Sequence, residues 1–159
     1  METVLRNQIA DYLGIGETPT YALMGVGFNT LDENPNAQTD SKTYIHQKSQ
    51  TSQIKSYQTQ FPFDTDLIAD ETAVTALYDI GRNQKTGADA ELEYVRVELF
   101  KPTGAEGTTF EARKFKVAVA VSGIAGAGGE TVKVTGTLYA VGDAVKGTFD
   151  TSTKTFTAE

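Results

Sequence analysis

Apolar and polar positions alternate with a period of two along most of the second half of the chain. The alternation is clearest over 92–100, and it recurs over 115–121 and 132–140. This period places successive side chains on opposite faces of a strand. Apolar residues on both sides of Asp150–Thr153 add a hairpin close to the C-terminus. This half of the chain is therefore predicted to form antiparallel β-structure.

The first 17 residues carry a single narrow apolar stripe. Its members recur at helical spacing: Leu5, Ile9, Tyr12 and Leu13. We predict an N-terminal amphipathic helix or arm over residues 1–17, followed by one β-rich domain over residues 18–159. Because so narrow a stripe forms no core alone, the segment must lie on the main domain or on a partner.

A second helix is predicted after Asp70, which is suited to cap it. Val74, Leu77 and Tyr78 supply its apolar face, and Gly81 is expected to end it in the left-handed conformation. One helix among several strands predicts a β-dominated α+β fold. Its expected form is two packed antiparallel sheets, as a sandwich or barrel, with one flanking helix.

Two segments between these elements are unusually polar. Asn29–Ser41 is rich in Asn, Asp and Thr and is predicted to be a long loop, a type of connection that is usually functional. Thr43–Phe63 is predicted to form strands that are wet on one side and thinly apolar on the other. Both segments indicate surfaces that are completed by something outside the subunit.

Composition removes most kinds of chemistry. The 159 residues include no Cys and one His, so thiolate chemistry and cysteine metal sites are absent and a triad would depend on His46 alone. Glu91, Glu93 and Glu98 are expected to be solvated or paired with cations such as Arg96. We therefore predict no enzyme, no cofactor and no metal site.

Charge and hydropathy narrow the class of partner. The 14 Lys and Arg against 21 Asp and Glu give a net charge of -7, and the cations are scattered, which argues against a conventional nucleic-acid binder. The N-terminus lacks a basic stretch followed by an apolar run, and no window is long enough to cross a bilayer. The expected location is the cytoplasm, without a membrane.

Five segments together resemble the major tail (tail tube) protein of tailed phages and prophages of Gram-positive bacteria. They are GFNTLDENPNAQTDSKTYI at 27–45, QFPFDTDLI at 60–68, ALYDIGRN at 76–83, EYVRVELF at 93–100 and GTFDTSTKTFT at 147–157. The resemblance covers residues 24–157, nearly the whole predicted domain. It implies two packed sheets with a flanking helix, assembled into hexameric rings that stack into a tube for DNA ejection.

The same resemblance implies partners and a location. The partners are further copies of this chain, other tail proteins such as the tape measure, the tail terminator and, in a contractile tail, the sheath, and DNA that passes without sequence-specific binding. The implied location is the virion tail, after assembly in the host cytoplasm. An acidic chain suits such a conduit, because it withholds the phosphate contacts that would stall moving DNA.

Two sets of residues are expected to serve this function. Leu31, Asn34 and Pro35 are predicted to contact a neighbouring subunit. One face of the following strand is predicted to line the channel through Ser52, Ser56, Gln58 and Gln60, with Tyr57 and Phe61 facing the other way. The alternative is a β-sandwich adhesion module that recognises a cell-surface carbohydrate or protein.

Overall fold

The computed structural model of the protein describes residues 1–159 and contains eleven strands and one α-helix. The strands are β1 Ile9–Ile15, β2 Thr20–Leu23, β3 Phe28–Leu31, β4 Ala37–Lys42, β5 Thr51–Tyr57, β6 Gln60–Asp66, β7 Glu91–Pro102, β8 Thr109–Ala125, β9 Lys133–Ala140, β10 Val145–Asp150 and β11 Thr155–Ala158. Helix α1 spans Thr72–Arg82, and short 3-10 helices cover Arg6–Gln8 and Gly87–Ala90. None of these helices is long and apolar enough to cross a membrane.

Nine strands form one antiparallel sheet, sheet A, in the order β2-β1-β7-β8-β9-β6-β3, with β10 paired to β8 and β11 to β10. The other two, β4 and β5, form a separate two-stranded sheet, sheet B. Strand β8 has 17 residues, and one of its edges is shared by β10 over Thr109–Lys114 and by β9 over Val117–Ala125. Sheet A therefore divides at β8.

Sheet A curls around the main core, a cluster of 15 buried residues that includes Phe61, Tyr94 and Phe115. The ring of Phe61 on β6 lies 4.6 Å from that of Tyr94 on β7 and 4.9 Å from that of Phe115 on β8, although β8 and β9 separate β6 from β7 in the sheet. Only curvature brings those strands together. The β-dominated fold class with one helix is confirmed.

A second, smaller core lies on the other face of β1 and β7. Its buried members are Tyr12, Val95, Val97, Ala112 and Phe149. Neighbouring residues of β1 enter different cores, since Tyr12 belongs to this cluster and Leu13 to the main one. A strand buried on both faces shows no alternation of apolar and polar residues.

Of the predicted N-terminal helix or arm over residues 1–17, the helix was wrong for this reason. Ile9–Ile15 is a strand that pairs with both β7 and β2 inside sheet A. Because both faces of this strand are buried, its apolar residues happen to fall at the spacing of a single helical stripe. Only Arg6–Gln8, before the strand, is helical, and it forms a single 3-10 turn.

Helix α1 lies where the sequence predicts it, with different ends. Its buried residues Ala73, Leu77 and Ile80 pack into the main core, and Val74 is buried as well. Glu71, not Asp70, stands at its N-terminus, and Gly81 lies inside the helix rather than ending it. A Cβ at Gly81 would come within 2.8 Å of Val121, so this glycine allows the helix to approach β8 closely.

Candidate subunit interface

Sheet B projects from the body as a hairpin with no core of its own. All seven residues of β5 are exposed, as are five of the six in β4. We call residues 37–57 the hairpin. It exposes large apolar side chains, including Ile54 at 60% and Tyr57 at 59%. An isolated two-stranded hairpin is marginal in water, so this one is suited to packing against a neighbour.

The predicted loop over Asn29–Ser41 was wrong. Its ends belong to β3 and β4, and only 32–36 connect them. Thr30 and Leu31 pair with β6, while Ala37–Lys42 pairs with β5. Asn and Asp are rare in strands by propensity, but the partner strands supply the hydrogen bonds that override it.

A β-bulge at Lys55 changes which side chains share a face of the hairpin. Gln38 lies opposite Ser56, whereas Thr39 lies opposite Ile54, so Lys55 is the extra residue. Cross-strand partners share a face of the sheet. One face therefore carries the pairs Ala37 with Tyr57, Thr39 with Ile54 and Ser41 with Ser52, and the last pair is joined by a 2.9 Å hydrogen bond between hydroxyls.

This register corrects the predicted polar face. Ser52 and Ser56 lie on opposite faces of the hairpin, and Tyr57 lies on the same face as Ser52 and Ile54. The physical reason is that an inserted residue reverses the alternation beyond it. The prediction that Ser52, Ser56, Gln58 and Gln60 line a channel stays a prediction, but these side chains do not form one continuous face.

Several predicted site residues meet where the hairpin joins the body. Asn34 and Gln60 are paired by two backbone hydrogen bonds of 2.8 and 2.9 Å. A groove of about 1040 Å³ beside this pair is lined in part by Pro35, Ser56, Gln58 and Gln60. Ser52 is absent from the groove's lining.

Leu31 lies elsewhere. It is 3% exposed and packs in the main core of its own subunit, which gives it a role in the fold of the monomer. Asn34 and Pro35 are both exposed. Of the three residues predicted to contact a neighbour, these two have side chains at the surface.

A largely buried polar network joins the 3-10 turn at Arg6–Gln8 to strands β1 and β7. Asp11, 2% exposed, accepts a hydrogen bond from the Tyr94 hydroxyl and a 2.7 Å bond from Arg6 Nη2. Arg96 Nη1 lies 3.6 Å from Asp11 Oδ1, the oxygen that accepts from Tyr94, and donates to the Tyr94 hydroxyl at 3.2 Å. Burial, together with the negative charge of Asp11, raises the pKa of Tyr94, so its hydroxyl stays protonated as a donor.

Glu33 links this network to the segment that leads into the hairpin. Its carboxylate accepts two hydrogen bonds of 2.7 Å from Arg113 Nη1 and Nη2, and Arg96 Nε lies 3.5 Å away. Burial raises the pKa of Glu33, but the hydrogen bonds and charge of Arg113 and the charge of Arg96 outweigh it. The pKa of Glu33 is therefore below its ordinary value.

Sequence reasoning did not find this network. The available signal was Arg96, a cation between Val95 and Val97 in the middle of a strand, and Asp11 inside the first apolar stripe. Charges at such positions are buried only with partners. Their partners come from distant strands, so the pairing itself was not readable from the chain.

The hairpin and the body carry opposite net charges. Three of the chain's 14 cations (Lys42, Lys48 and Lys55) and one of its 21 anions (Asp40) fall in residues 37–57. The hairpin thus has a formal charge of +2, and the remainder of the chain has -9. Such segregation favours contact between the hairpin of one copy and the body of another.

The carboxylates considered for acid–base chemistry are separately paired. Glu93 accepts a 2.7 Å hydrogen bond from the Tyr21 hydroxyl, Glu91 lies 3.0 Å from Lys116 Nζ, and Glu98 lies 2.9 Å from Lys101 Nζ. No group of three or more His, Asp or Glu side chains is arranged to hold a metal ion. Glu91 and Glu93 line one groove together with Lys116, whereas Glu98 lines a different one with Lys101.

Comparison with known proteins finds similarity at the level of structure. No family model and no curated protein sequence matches the chain. Among solved structures, it is similar to a chain in the 6-fold symmetrised cryo-EM structure of the anti-feeding prophage baseplate. The TM-score is 0.51 at 8% identity, over 95% of this chain and 99% of that chain. The two chains therefore share a fold over nearly their whole length.

Proposed function

We propose that this protein is a structural subunit of a phage-like tail, which assembles with copies of itself into sixfold rings stacked as a tube for DNA. The observation that carries the proposal is the exposed hairpin, a coreless element with charge opposite to that of its body. The likeness to a chain of the anti-feeding prophage baseplate supports the phage-like setting and the sixfold symmetry. The family resemblance of the sequence supports the tube.

The proposed contact is heterologous. A positive hairpin suits the negative body of a second copy, so two different surfaces meet at each interface. Contacts of that kind close into rings or extend as filaments. Apolar burial of Ile54 and Tyr57 would add stabilisation that charge alone does not supply.

Reversing the hairpin's charge tests this proposal. In the double variant Lys42→Glu and Lys48→Glu, we expect the concentration-dependent rings or tubes of the parent protein to disappear in sedimentation velocity and negative-stain microscopy. The control is Lys85→Glu with Lys154→Glu, which makes the same change in net charge at exposed sites outside the hairpin. A parent protein that stays monomeric at every concentration, or a reversed hairpin that assembles normally, would contradict the proposal.

The same images separate a tube from a single-layer component. Rings that stack into hollow tubes of indefinite length support the tube. Rings that form but never stack, even when concentrated, refute the tube and leave a ring-forming subunit such as a baseplate component.

The second candidate function is an adhesion module. Tyr44 and Tyr57 expose 48% and 59% of their surface on the hairpin, and exposed aromatic rings are suited to stacking on sugars. Binding of the monomer to a glycan array, lost in Tyr44→Ala and Tyr57→Ala, would favour this function over assembly.

A further inference from the structure

The hairpin continues a ribbon that begins inside sheet A. At the base of this ribbon, the backbone N–H of Asp32 donates to the Pro62 carbonyl oxygen at 3.1 Å, and Asn34 pairs with Gln60. Further out, the Gln58 N–H donates to the Asn36 carbonyl oxygen at 3.2 Å, and the pairing of β4 with β5 follows. Strand β6 is still joined to β9 as far as Gln60, which lies opposite Tyr139, but beyond Asn36 and Gln58 the ribbon has two strands only. Two-stranded ribbons twist more readily than wide sheets. Backbone pairing alone therefore leaves its direction weakly defined.

Glu33 lies where the ribbon leaves sheet A, and its side chain reaches strands that are not its neighbours. It contacts Arg113 on β8 and Arg96 on β7, whereas the backbone beside it pairs with β6. The contacts thus cross the curl of sheet A. They join the start of the ribbon to strands β7 and β8, on the other side of the curled sheet.

The two arginines that contact Glu33 are themselves held in place by other side chains. Arg96 has a side chain 8% exposed and lies beside Asp11 and Tyr94. Arg113 stacks near Phe115, with its guanidinium carbon 5.5 Å from the ring centroid, and lies 3.8 Å from Glu98. A bidentate carboxylate–guanidinium pair fixes orientation as well as distance.

We propose that Glu33 is a positioning residue that fixes the direction in which the hairpin leaves the body. Without its carboxylate, the hairpin keeps its own strand pairing but samples a wider range of angles. The consequence for assembly rests on the proposed function, because a hairpin that points in many directions docks poorly on a second copy. The restriction of its angle is a property of the monomer.

Distances measured between two spin labels test the proposal in the dilute full-length monomer. The chain has no cysteine, so Ser49→Cys near the hairpin tip and Asp79→Cys on α1 provide two exposed labelling sites without background. In Glu33→Gln, we expect a distance distribution at least about twofold wider than in the parent protein, as for a locally released segment. The matched control Glu91→Gln removes a carboxylate that pairs with Lys116 away from the ribbon, and its distribution should equal that of the parent.

A second variant covers the case in which Glu33→Gln loses its fold, detected as loss of near-ultraviolet circular dichroism. Arg113→Lys keeps the charge but loses the paired hydrogen bonds, and we expect an intermediate width. A distribution as narrow as the parent's in the folded variants, or equal widening in Glu91→Gln, overturns the inference. A widened distribution with normal assembly supports the positioning role and contradicts the hairpin's part in the proposed function.

Discussion

Removing the hairpin separates the fold of the monomer from its assembly. The change replaces residues 37–57 with a turn of about four Gly and Ser residues. The ends allow it, because Gln58 N lies 3.2 Å from Asn36 O and a short turn can join them. The removed segment is exposed throughout β5 and nearly throughout β4, so its loss takes almost no apolar surface from either core.

The expected stability change follows from the length of the connection. Shortening 21 residues to about four lowers the cost of loop closure by about 1.5 kcal/mol at most. For a protein of this length, that corresponds to a rise in melting temperature of about 3–6 °C at most. The shortened monomer should therefore melt at or slightly above the temperature of the parent protein.

Assembly is expected to change in the opposite sense. Sedimentation velocity and negative-stain microscopy should show that the shortened protein is a monomer at concentrations where the parent forms rings or tubes. The control shortens the exposed turn at 126–131 between β8 and β9, which should leave assembly unchanged. A fall in melting temperature of more than about 5 °C would show that the hairpin stabilises the monomer. Persistent assemblies would refute its role as a contact.

Three further predictions follow from individual residues. Leu31→Ala should destabilise the monomer by about 2–5 kcal/mol in chemical denaturation, because it leaves a cavity in the main core, and a loss below about 1 kcal/mol would contradict that packing. Glu33→Gln should lower stability at neutral pH. Since the folded pKa of Glu33 is depressed, the stabilisation is present above the ordinary carboxyl pKa and is lost as pH falls through the folded value, so denaturation curves of parent and variant should converge in acid. A gap that is constant with pH would contradict the ion pair. Ser56→Lys with Gln58→Lys should slow DNA ejection from assembled particles without changing tail length, because each cation adds a phosphate contact, and ejection at the parental rate would exclude these residues from the channel wall.

The class of fold and most of its strands were readable from the chain. Period-two alternation located β8 and β9, because buried residues alternate along them with more exposed ones. Strand β7 was also predicted, although its centre is buried on both faces, and the residues flanking Asp150–Thr153 located the terminal hairpin. The stripe of Val74 and Leu77 located helix α1, since only one side of it meets the core. The acidic composition and the absence of cysteine are properties of the sequence alone.

The remaining features depended on contacts between distant segments. Strand β1 is buried on both faces, so its local spacing imitated a helix, and only pairing with β7 and β2 identifies it. The bulge at Lys55 exists only in the register between β4 and β5, yet it decides which side chains share a face. Glu33 meets Arg113 across 80 residues of sequence because sheet A curls. Local sequence preferences act over a few residues, whereas the curl of sheet A is set by burial of the whole core. That curl brings Glu33 together with Arg96 and Arg113.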